Sequence, residues 1–363
     1  MPTCPFGPLT SSDYTVNPLG LNIVAPFPKY AVLTSLSYPS FDNPNEHFDI
    51  VIPESAIGPV PLVIFLHGGG GFDGDKSHGF ANKYKPMMAA LLKANIAYTS
   101  IDYSLLKTDG TEADGLKKPL YSITQFVQYI RHHAVCLNIK KGKIGIFGVS
   151  FGANAATWLA FNKEMKNQLA TDYKKQSTLV QALVTMETQC SNDMRVWANQ
   201  IFNSVPFSLI CIKNIIEEVR MKAYYPNLVP PPPPSPLTTS GQVSAVINEY
   251  ITNTPNYLAG TGNINLDMLD LMSEGDPPIW LESFNEPAGF PSLNCLPSNR
   301  EQLVHHPYHP KALLDRAKQI NLVALQKIKY VARINALGIF EQSPGLPNYA
   351  GKTAVDFLID RLQ

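Results

Sequence analysis

A tight turn around one serine constrains this chain more than any other feature. Residues 142–147 form a β-favouring run that enters residues 148–152, which read Gly-Val-Ser-Phe-Gly, and the helix-forming residues 153–161 follow. In this strand–turn–helix context the pattern G-x-S-x-G predicts a nucleophile elbow, in which the serine takes a strained backbone conformation. We therefore predict that Ser150 is exposed above the strand ends, over a helix N-terminus that favours developing negative charge.

A glycine-rich loop upstream supports this prediction. Residues 61–66 are typical of a buried strand, and residues 67–71, which read His-Gly-Gly-Gly-Gly, follow directly. Backbone N–H groups that no Cβ atom obstructs can stabilise an oxyanion. A flexible loop is the alternative for the glycines alone, but their place after a strand and before the elbow favours an oxyanion loop. We expect His67 to brace this loop through a hydrogen bond.

With these two motifs the chain resembles the α/β-hydrolase superfamily, and within it the HGGG-bearing esterases and lipases related to hormone-sensitive lipase. The resemblance covers residues 45–190 well and residues 276–320 less well. It implies that Ser150 is the nucleophile. It also implies an oxyanion hole formed by Gly69, Gly70 and the N–H of Phe151.

The order of predicted elements indicates an α/β fold. Buried strand-like runs alternate with helix-like runs, which predicts a mostly parallel, doubly wound sheet with active-site loops at the strand carboxyl ends. The first 40 residues, rich in Pro, Ser and Thr, are expected to be irregular. The predicted strands are 47–52, 61–66, 96–102, 180–186 and 323–331, and the predicted helices are 85–93, 121–133, 153–161, 311–317 and 353–362.

The alternation fails in one part of the chain, which indicates an insertion. We expect residues 1–187 and 276–363 to form the two parts of the hydrolase core, and residues 188–275 to form an inserted cap that controls substrate size. Within the cap, residues 230–236 contain five consecutive prolines, which favour extended polyproline II structure. We interpret them as a surface linker, with a docking site for a partner as the alternative.

The histidine of the expected catalytic triad is displaced. The family normally carries it between the last strand and the last helix, but residues 332–352 contain no histidine. Instead His305, His306 and His309 cluster before the helix predicted at 311–317. We predict that His305 is the base, with His306 as the alternative. A purely structural role in packing and capping that helix is the competing interpretation.

The acid has several candidates. The resemblance places it at the end of the strand-like segment 277–287, where Glu286 is closest to the expected position and Glu282 is its neighbour. Glutamate is acceptable, because the role is to orient an imidazole and stabilise its cation. If the base lies on a loop one strand earlier than the family normally places it, the acid could also lie one strand earlier. Asp193 and Glu187, which follow the preceding predicted strand, are then candidates.

Composition excludes several classes of function. The 29 basic and 29 acidic residues cancel, so no electrostatic argument supports a nucleic-acid or anionic-membrane partner. No apolar run approaches the ~20 residues that span a bilayer. Residues 1–15 lack the pattern of a signal peptide, which favours a cytoplasmic protein, with a mature secreted form as the alternative.

The five cysteines, at positions 4, 136, 190, 211 and 295, match no zinc-ligand spacing. We expect most of them to be buried thiols, with at least one unpaired. A disulfide between Cys190 and Cys211 is the pairing considered for an exported protein.

These features predict a serine hydrolase that cleaves small to medium uncharged carboxylic esters through an acyl-enzyme. Its partner is a small-molecule ester, and the mechanism requires neither a metal nor an organic cofactor. The displaced histidine supports an alternative, a catalytically impaired ligand-binding protein that keeps the hydrolase fold. The exact ester and the oligomeric state stay open.

Overall fold

A computed structural model describes most of the 363-residue chain. The acid candidate Glu286 and the five consecutive prolines lie outside the described residues. The described ranges are 5–7, 9–21, 28–55, 57–203, 207–226, 236–253, 263–283, 294–322, 325, 327–334, 339–342 and 352–363.

One sheet organises the described part of the chain. Its strands lie in the order β1-β2-β4-β3-β5-β6-β7-β8-β9. The strands from β4 to β8 in this order are parallel, and the pairs β1–β2, β2–β4 and β8–β9 are antiparallel. The predicted α/β class with a mostly parallel sheet is therefore confirmed. The strands are β1 (Tyr30–Tyr38), β2 (Glu46–Pro53), β3 (Val60–Leu66), β4 (Ala97–Ile101), β5 (Ile139–Val149), β6 (Ala182–Met186), β7 (Ile279–Ser283), β8 (Ile328–Ile334) and β9 (Ile339–Gln342).

Helices cover both faces of this sheet. None in the described ranges is long and apolar enough to cross a membrane. The helices are α1 (Lys85–Lys93), α2 (Lys117–His132), α3 (Phe151–Phe161), α4 (Met194–Val196), α5 (Leu209–Ile216), α6 (Glu218–Tyr224), α7 (Ser240–Asn253), α8 (Met268–Leu271), α9 (Arg300–Val304), α10 (Tyr308–Gln319) and α11 (Ala354–Leu362).

The central strand β3 shows why two layers of helices form. Successive side chains of a strand point to opposite faces. Leu62 and Ile64 belong to the core that α2, α3 and α10 share, whereas Val63 and Phe65 belong to the core that α1 and α11 share. All four are buried. Because both faces need apolar side chains, the strand appears in the sequence as a continuous apolar run.

Strands near both edges of the sheet depart from the sequence prediction. Residues 30–38, expected to be irregular, form β1, which pairs with β2 at the edge of the sheet. Its middle residues are partly exposed, so it lacks the apolar run that marks the central strands. The last parallel strand, predicted at 323–331, is β8 at 328–334, and β9 follows it as an antiparallel edge strand.

The segment between β6 and β7 contains α4 to α8 and a π-helical turn at Trp197–Ile201. We call it the β6–β7 insertion. The hydroxyl of Tyr250, on α7, accepts a 2.8 Å hydrogen bond from the backbone N–H of Lys117. The hydroxyl of Tyr224, on α6, donates a 2.8 Å hydrogen bond to the carbonyl of Gly70. The insertion therefore contacts the glycine-rich loop at the carboxyl end of β3.

The cysteines differ from expectation. Cys211, on α5, is bonded to Cys295, 84 residues away, and Cys136 is also disulfide-bonded. Cys190 is a buried free thiol, so the pairing considered between Cys190 and Cys211 is wrong. The reason is tertiary, because the fold brings α5 beside the segment that precedes α9.

Candidate active site

The elbow places Ser150 between β5 and α3. Its backbone has φ 53° and ψ −121°, a strained conformation for a residue with a side chain. A Cβ atom on Gly148 would lie 2.5 Å from the carbonyl oxygen of Gly152, and one on Gly152 would overlap the backbone of Leu66. The close approach of neighbouring backbone therefore requires glycine at both positions, as the motif predicts.

His305 contacts Ser150. Its Nε2 atom lies 2.8 Å from the Ser150 Oγ atom. His305 follows the last residue of α9, Val304, whose carbonyl accepts a 2.7 Å hydrogen bond from the Gln189 side chain. Burial lowers the pKa of His305 from its ordinary value of 6.5, while the neighbouring Glu301 raises it. The imidazole is therefore neutral near pH 7 and can accept the serine proton.

The other two histidines of the cluster face elsewhere. His306 accepts a 3.2 Å hydrogen bond from the backbone N–H of Tyr308 and packs edge-on against Phe202. His309 donates from Nε2 to the carbonyl of Leu303 at 3.2 Å. Burial lowers the pKa of His306 to about 4 and that of His309 to about 3. Both imidazoles are therefore neutral packing groups of this loop.

The carboxylate beside His305 is one that the sequence analysis did not consider. Oε2 of Glu301 lies 3.5 Å from His305 Nδ1, one helical turn earlier in the chain. The spacing of four residues was a local signal, but it becomes meaningful only if residues 300–304 are helical. Without that helix Glu301 resembles any exposed glutamate.

The predicted acids have other partners where the structure describes them. Asp193 accepts two hydrogen bonds from the Arg195 Nε atom, at 2.9 and 3.0 Å. The buried side chain of Glu282 accepts a 3.2 Å hydrogen bond from the Trp280 indole. Glu187 follows β6 with φ 58°. Among the described contacts, none of these three carboxylates reaches His305.

The glycine-rich loop lies against the elbow. Gly69 has φ 112° and Gly70 has φ 65°, conformations that favour glycine. A Cβ atom on Gly69 would overlap the carbonyl oxygen of Asp73. Both glycines line the same cavity as Ser150 and Phe151. Phe151 is the first residue of α3, so its N–H precedes the intrahelical hydrogen bonds and can face a ligand.

His67 has the bracing contact expected of it. Its Nδ1 atom lies 2.7 Å from the carbonyl oxygen of Gly68, which fixes the proton on Nδ1. The ring stacks on Tyr103 at 4.2 Å, and the Tyr103 hydroxyl donates to the His67 carbonyl at 2.8 Å. Burial lowers the pKa of His67 to about 4. The neutral ring therefore holds the start of the loop.

A cavity of about 530 Å³ opens above Ser150 and His305. Its wall comes from the glycine-rich loop, the β6–β7 insertion and α9. Two acidic and two basic side chains line it, so the charges of the wall balance. The aromatic residues of the wall are Phe72, Phe151, Trp197, Tyr224 and Tyr225, and the charged ones are Asp73, Arg220, Arg300 and Glu301.

Cys190 is a nucleophilic side chain near the histidine cluster. Its sulfur lies 3.4 Å from Nδ1 of His309. Because His309 Nε2 carries the proton given to Leu303, Nδ1 is the acceptor and the thiol is the donor. Burial raises the pKa of this thiol well above its ordinary value. The pair is therefore neutral and structural.

Comparisons with known proteins agree with this architecture. The BD-FAE family model matches residues 48–207, which include the glycine-rich loop and the elbow but end before His305. No curated protein sequence matches the chain.

Two solved structures share the overall fold. A truncated carbohydrate esterase from gut microbiota has 15% identity and a TM-score of 0.53, with 90% of each chain covered. Carboxyl esterase 2 from the mycorrhizal fungus Tuber melanosporum has 13% identity and a TM-score of 0.51, with 94% of this chain and 89% of the other covered. At these identities the similarity is one of fold.

Proposed function

We propose that this chain, a member of the α/β-hydrolase superfamily, is a serine hydrolase that cleaves carboxylic esters through an acyl-enzyme. One observation carries the proposal, the 2.8 Å contact between the Ser150 Oγ and His305 Nε2 atoms. A nucleophile and a base at this distance, on a strained elbow beside a glycine-rich loop, are the parts that acyl transfer requires. The two solved structures that share the fold are a carbohydrate esterase and a carboxyl esterase, which supports ester cleavage.

The first half-reaction forms the acyl-enzyme. His305 takes the proton from Ser150 as its Oγ atom attacks the ester carbonyl carbon. The N–H groups of Gly69, Gly70 and Phe151 stabilise the negative charge that develops on the carbonyl oxygen, and losing one such donor typically costs about 3 kcal/mol. The tetrahedral intermediate collapses, the C–O bond to the alcohol breaks, and the His305 imidazolium protonates the leaving alcohol.

The second half-reaction returns the free enzyme. His305 removes a proton from a water molecule, whose oxygen attacks the acyl carbon. The same donors hold the oxyanion, and the intermediate then releases Ser150, which receives the proton back from His305. One imidazole can first accept a proton and then donate it only if it is neutral before the reaction begins. The lowered pKa of His305 favours this neutral form.

The cavity supports small to medium uncharged esters as substrates. Its volume of about 530 Å³ lies within the range of small-molecule sites. Aromatic side chains suit an acyl or aryl group, and the balanced charges of the wall do not favour a polyanion. Glu286, the acid predicted from the sequence, lies outside the described residues.

Covalent labelling with a fluorophosphonate probe tests the proposal. The purified wild-type protein is compared with Ser150→Ala, His305→Ala and His306→Ala, and Ser244→Ala, on α7, is the matched serine control. We expect labelling of wild type and of the Ser244 and His306 variants, and loss of labelling in the other two. Hydrolysis of p-nitrophenyl acetate, butyrate and laurate measures acyl size, with the short esters expected to react faster.

Two results contradict the proposal. The first is a folded wild-type protein that the probe does not label, which would favour a ligand-binding protein. The second is labelling that persists in Ser150→Ala, which would place the nucleophile elsewhere. Heat-denatured wild type controls for non-specific labelling, and circular dichroism shows that each variant is folded.

A further inference from the structure

We propose that Glu301 is the positioning carboxylate that orients the His305 imidazole. The proposal rests on the proposed function and deepens it by naming the third member of the catalytic group. Oε2 of Glu301 lies 3.5 Å from Nδ1 of His305, and the opposite ring nitrogen lies 2.8 Å from Ser150 Oγ. The three side chains thus form a chain of contacts in the order of acid, base and nucleophile.

Helix α9 produces this arrangement by itself. Residues four apart in a helix lie on the same face, one turn above the other. Glu301 stands in the first turn of α9, and His305 is the residue that ends it. Both line the cavity that contains Ser150. The acid and the base are therefore fixed relative to each other by five residues of local structure.

An arginine holds the carboxylate from the other side. Arg300 Nε lies 3.8 Å from the Glu301 Oε1 atom, the oxygen that is not directed at His305. The same guanidinium donates a 2.8 Å hydrogen bond from Nη1 to Glu217, between α5 and α6. Glu217 also forms an ion pair of 3.6 Å with Arg220. This network connects α9 to the β6–β7 insertion. It uses Oε1 of Glu301, so that Oε2 is directed at His305.

The chemistry required of this carboxylate is limited. A negative charge near Nδ1 favours the tautomer with the proton on Nδ1, which leaves Nε2 free to accept the serine proton. It then stabilises the imidazolium that forms. Glu301 is 73% exposed, so water screens its charge, and we expect a smaller contribution than that of a buried aspartate.

Four variants test the proposal. Glu301→Gln removes the charge with little change of shape, and Glu301→Asp keeps the charge on a shorter side chain. Glu286→Gln tests the acid predicted from the sequence. Glu274→Gln is the matched control, because this glutamate is exposed and its described contact is through its backbone carbonyl. The readouts are kcat, KM and the rate of fluorophosphonate labelling, each across a range of pH.

We expect Glu301→Gln to lower kcat/KM by at least about tenfold through kcat. The acid limb of its pH profile moves to lower pH, because the lost anion raises the His305 pKa in the wild type. Glu301→Asp retains more activity and an acid limb closer to that of wild type. Every variant keeps the other charged groups around this pair, which are Arg300, Glu217, Arg220 and, in the cavity wall, Asp73.

Three results overturn the proposal and leave the proposed function intact. In each, the probe labels wild type through Ser150. The first is a kcat/KM of the Glu301→Gln variant within about twofold of wild type, whether or not Glu286→Gln loses labelling. The second is a loss that appears only in KM. The third is a lowered kcat with an unmoved acid limb, which indicates a merely structural role. Absence of labelling in folded wild type instead contradicts the proposed function itself.

Discussion

Ser150 and His305 are 155 residues apart in the chain, and their side chains meet at 2.8 Å. The serine stands on a strained turn at the centre of the sheet, and the histidine follows a five-residue helix between β7 and β8. His306, the next residue, turns away and packs against Phe202. The histidine that contacts Ser150 is therefore decided by how the chain leaves α9.

The histidine pair gives the sharpest mutational contrast. We expect His305→Ala to lower kcat by at least about 10²-fold to 10³-fold, because general base catalysis is lost. His306→Asn should stay within about fivefold of wild type, since its ring packs against Phe202 and accepts a backbone hydrogen bond from Tyr308. Steady-state hydrolysis of a p-nitrophenyl ester measures both. A larger loss in the His306 variant than in the His305 variant would exchange their roles.

The glycine-rich loop provides a second matched pair. Gly69→Ala should lower kcat by about 10²-fold or more, because its Cβ overlaps the carbonyl of Asp73 and displaces an oxyanion donor. Gly70→Ala should be milder, since the nearest atom to its Cβ is the Tyr224 hydroxyl at 3.5 Å. Gly110→Ala, with φ 84° and open space, controls for backbone strain alone. Equal activity in the Gly69 and Gly110 variants would argue against the oxyanion role.

The disulfide between Cys211 and Cys295 should support activity. It joins α5 to the segment just before α9, so its loss frees the helix that precedes His305, the proposed base. We expect the double variant Cys211→Ser, Cys295→Ser to lose several-fold in kcat while circular dichroism shows a folded core. Cys136→Ser removes a disulfide whose described cysteine lies after α2, away from α5 and α9, and is the control, measured at a temperature where both variants are folded. An unchanged kcat in the double variant would refute this role.

Stability should fall with acid because of buried neutral histidines. Burial lowers the pKa of His309 from 6.5 to about 3, so between these values the unfolded chain binds a proton that the folded chain does not. The stabilising effect is complete above pH 6.5 and is lost as pH falls towards 3, at up to about 1.4 kcal/mol per pH unit. Urea unfolding at pH 7.5 and pH 5 measures this dependence.

The variants His309→Gln and His78→Gln show whether His309 causes the pH dependence of the unfolding free energy. His309→Gln should reduce the difference in unfolding free energy between the two pH values. His78→Gln is the matched histidine control, because His78 is exposed. The same pH dependence in all three proteins would show that other groups cause acid unfolding.

Local pattern was enough to predict the centre of the fold and the turn around Ser150. The apolar run of β3 follows from burial on both faces of the sheet, and the helix α1 was predicted with the bounds it has, 85–93. The turn at Ser150 was predictable because glycines two residues away on each side are a steric requirement of that turn. Such signals lie within a few residues of the structure they specify.

The identity of the histidine's partners depended on the tertiary structure. The sequence offered His305 and His306 as bases and four carboxylates as acids, but its spacing could not rank them, because distance in the fold is set by packing. Glu301 became a candidate only when residues 300–304 formed α9 and α9 packed beside the elbow. The bond between Cys211 and Cys295 likewise follows from two segments that meet across 84 residues of chain. Short-range sterics specify the turn around Ser150, whereas long-range packing selects the groups that surround it.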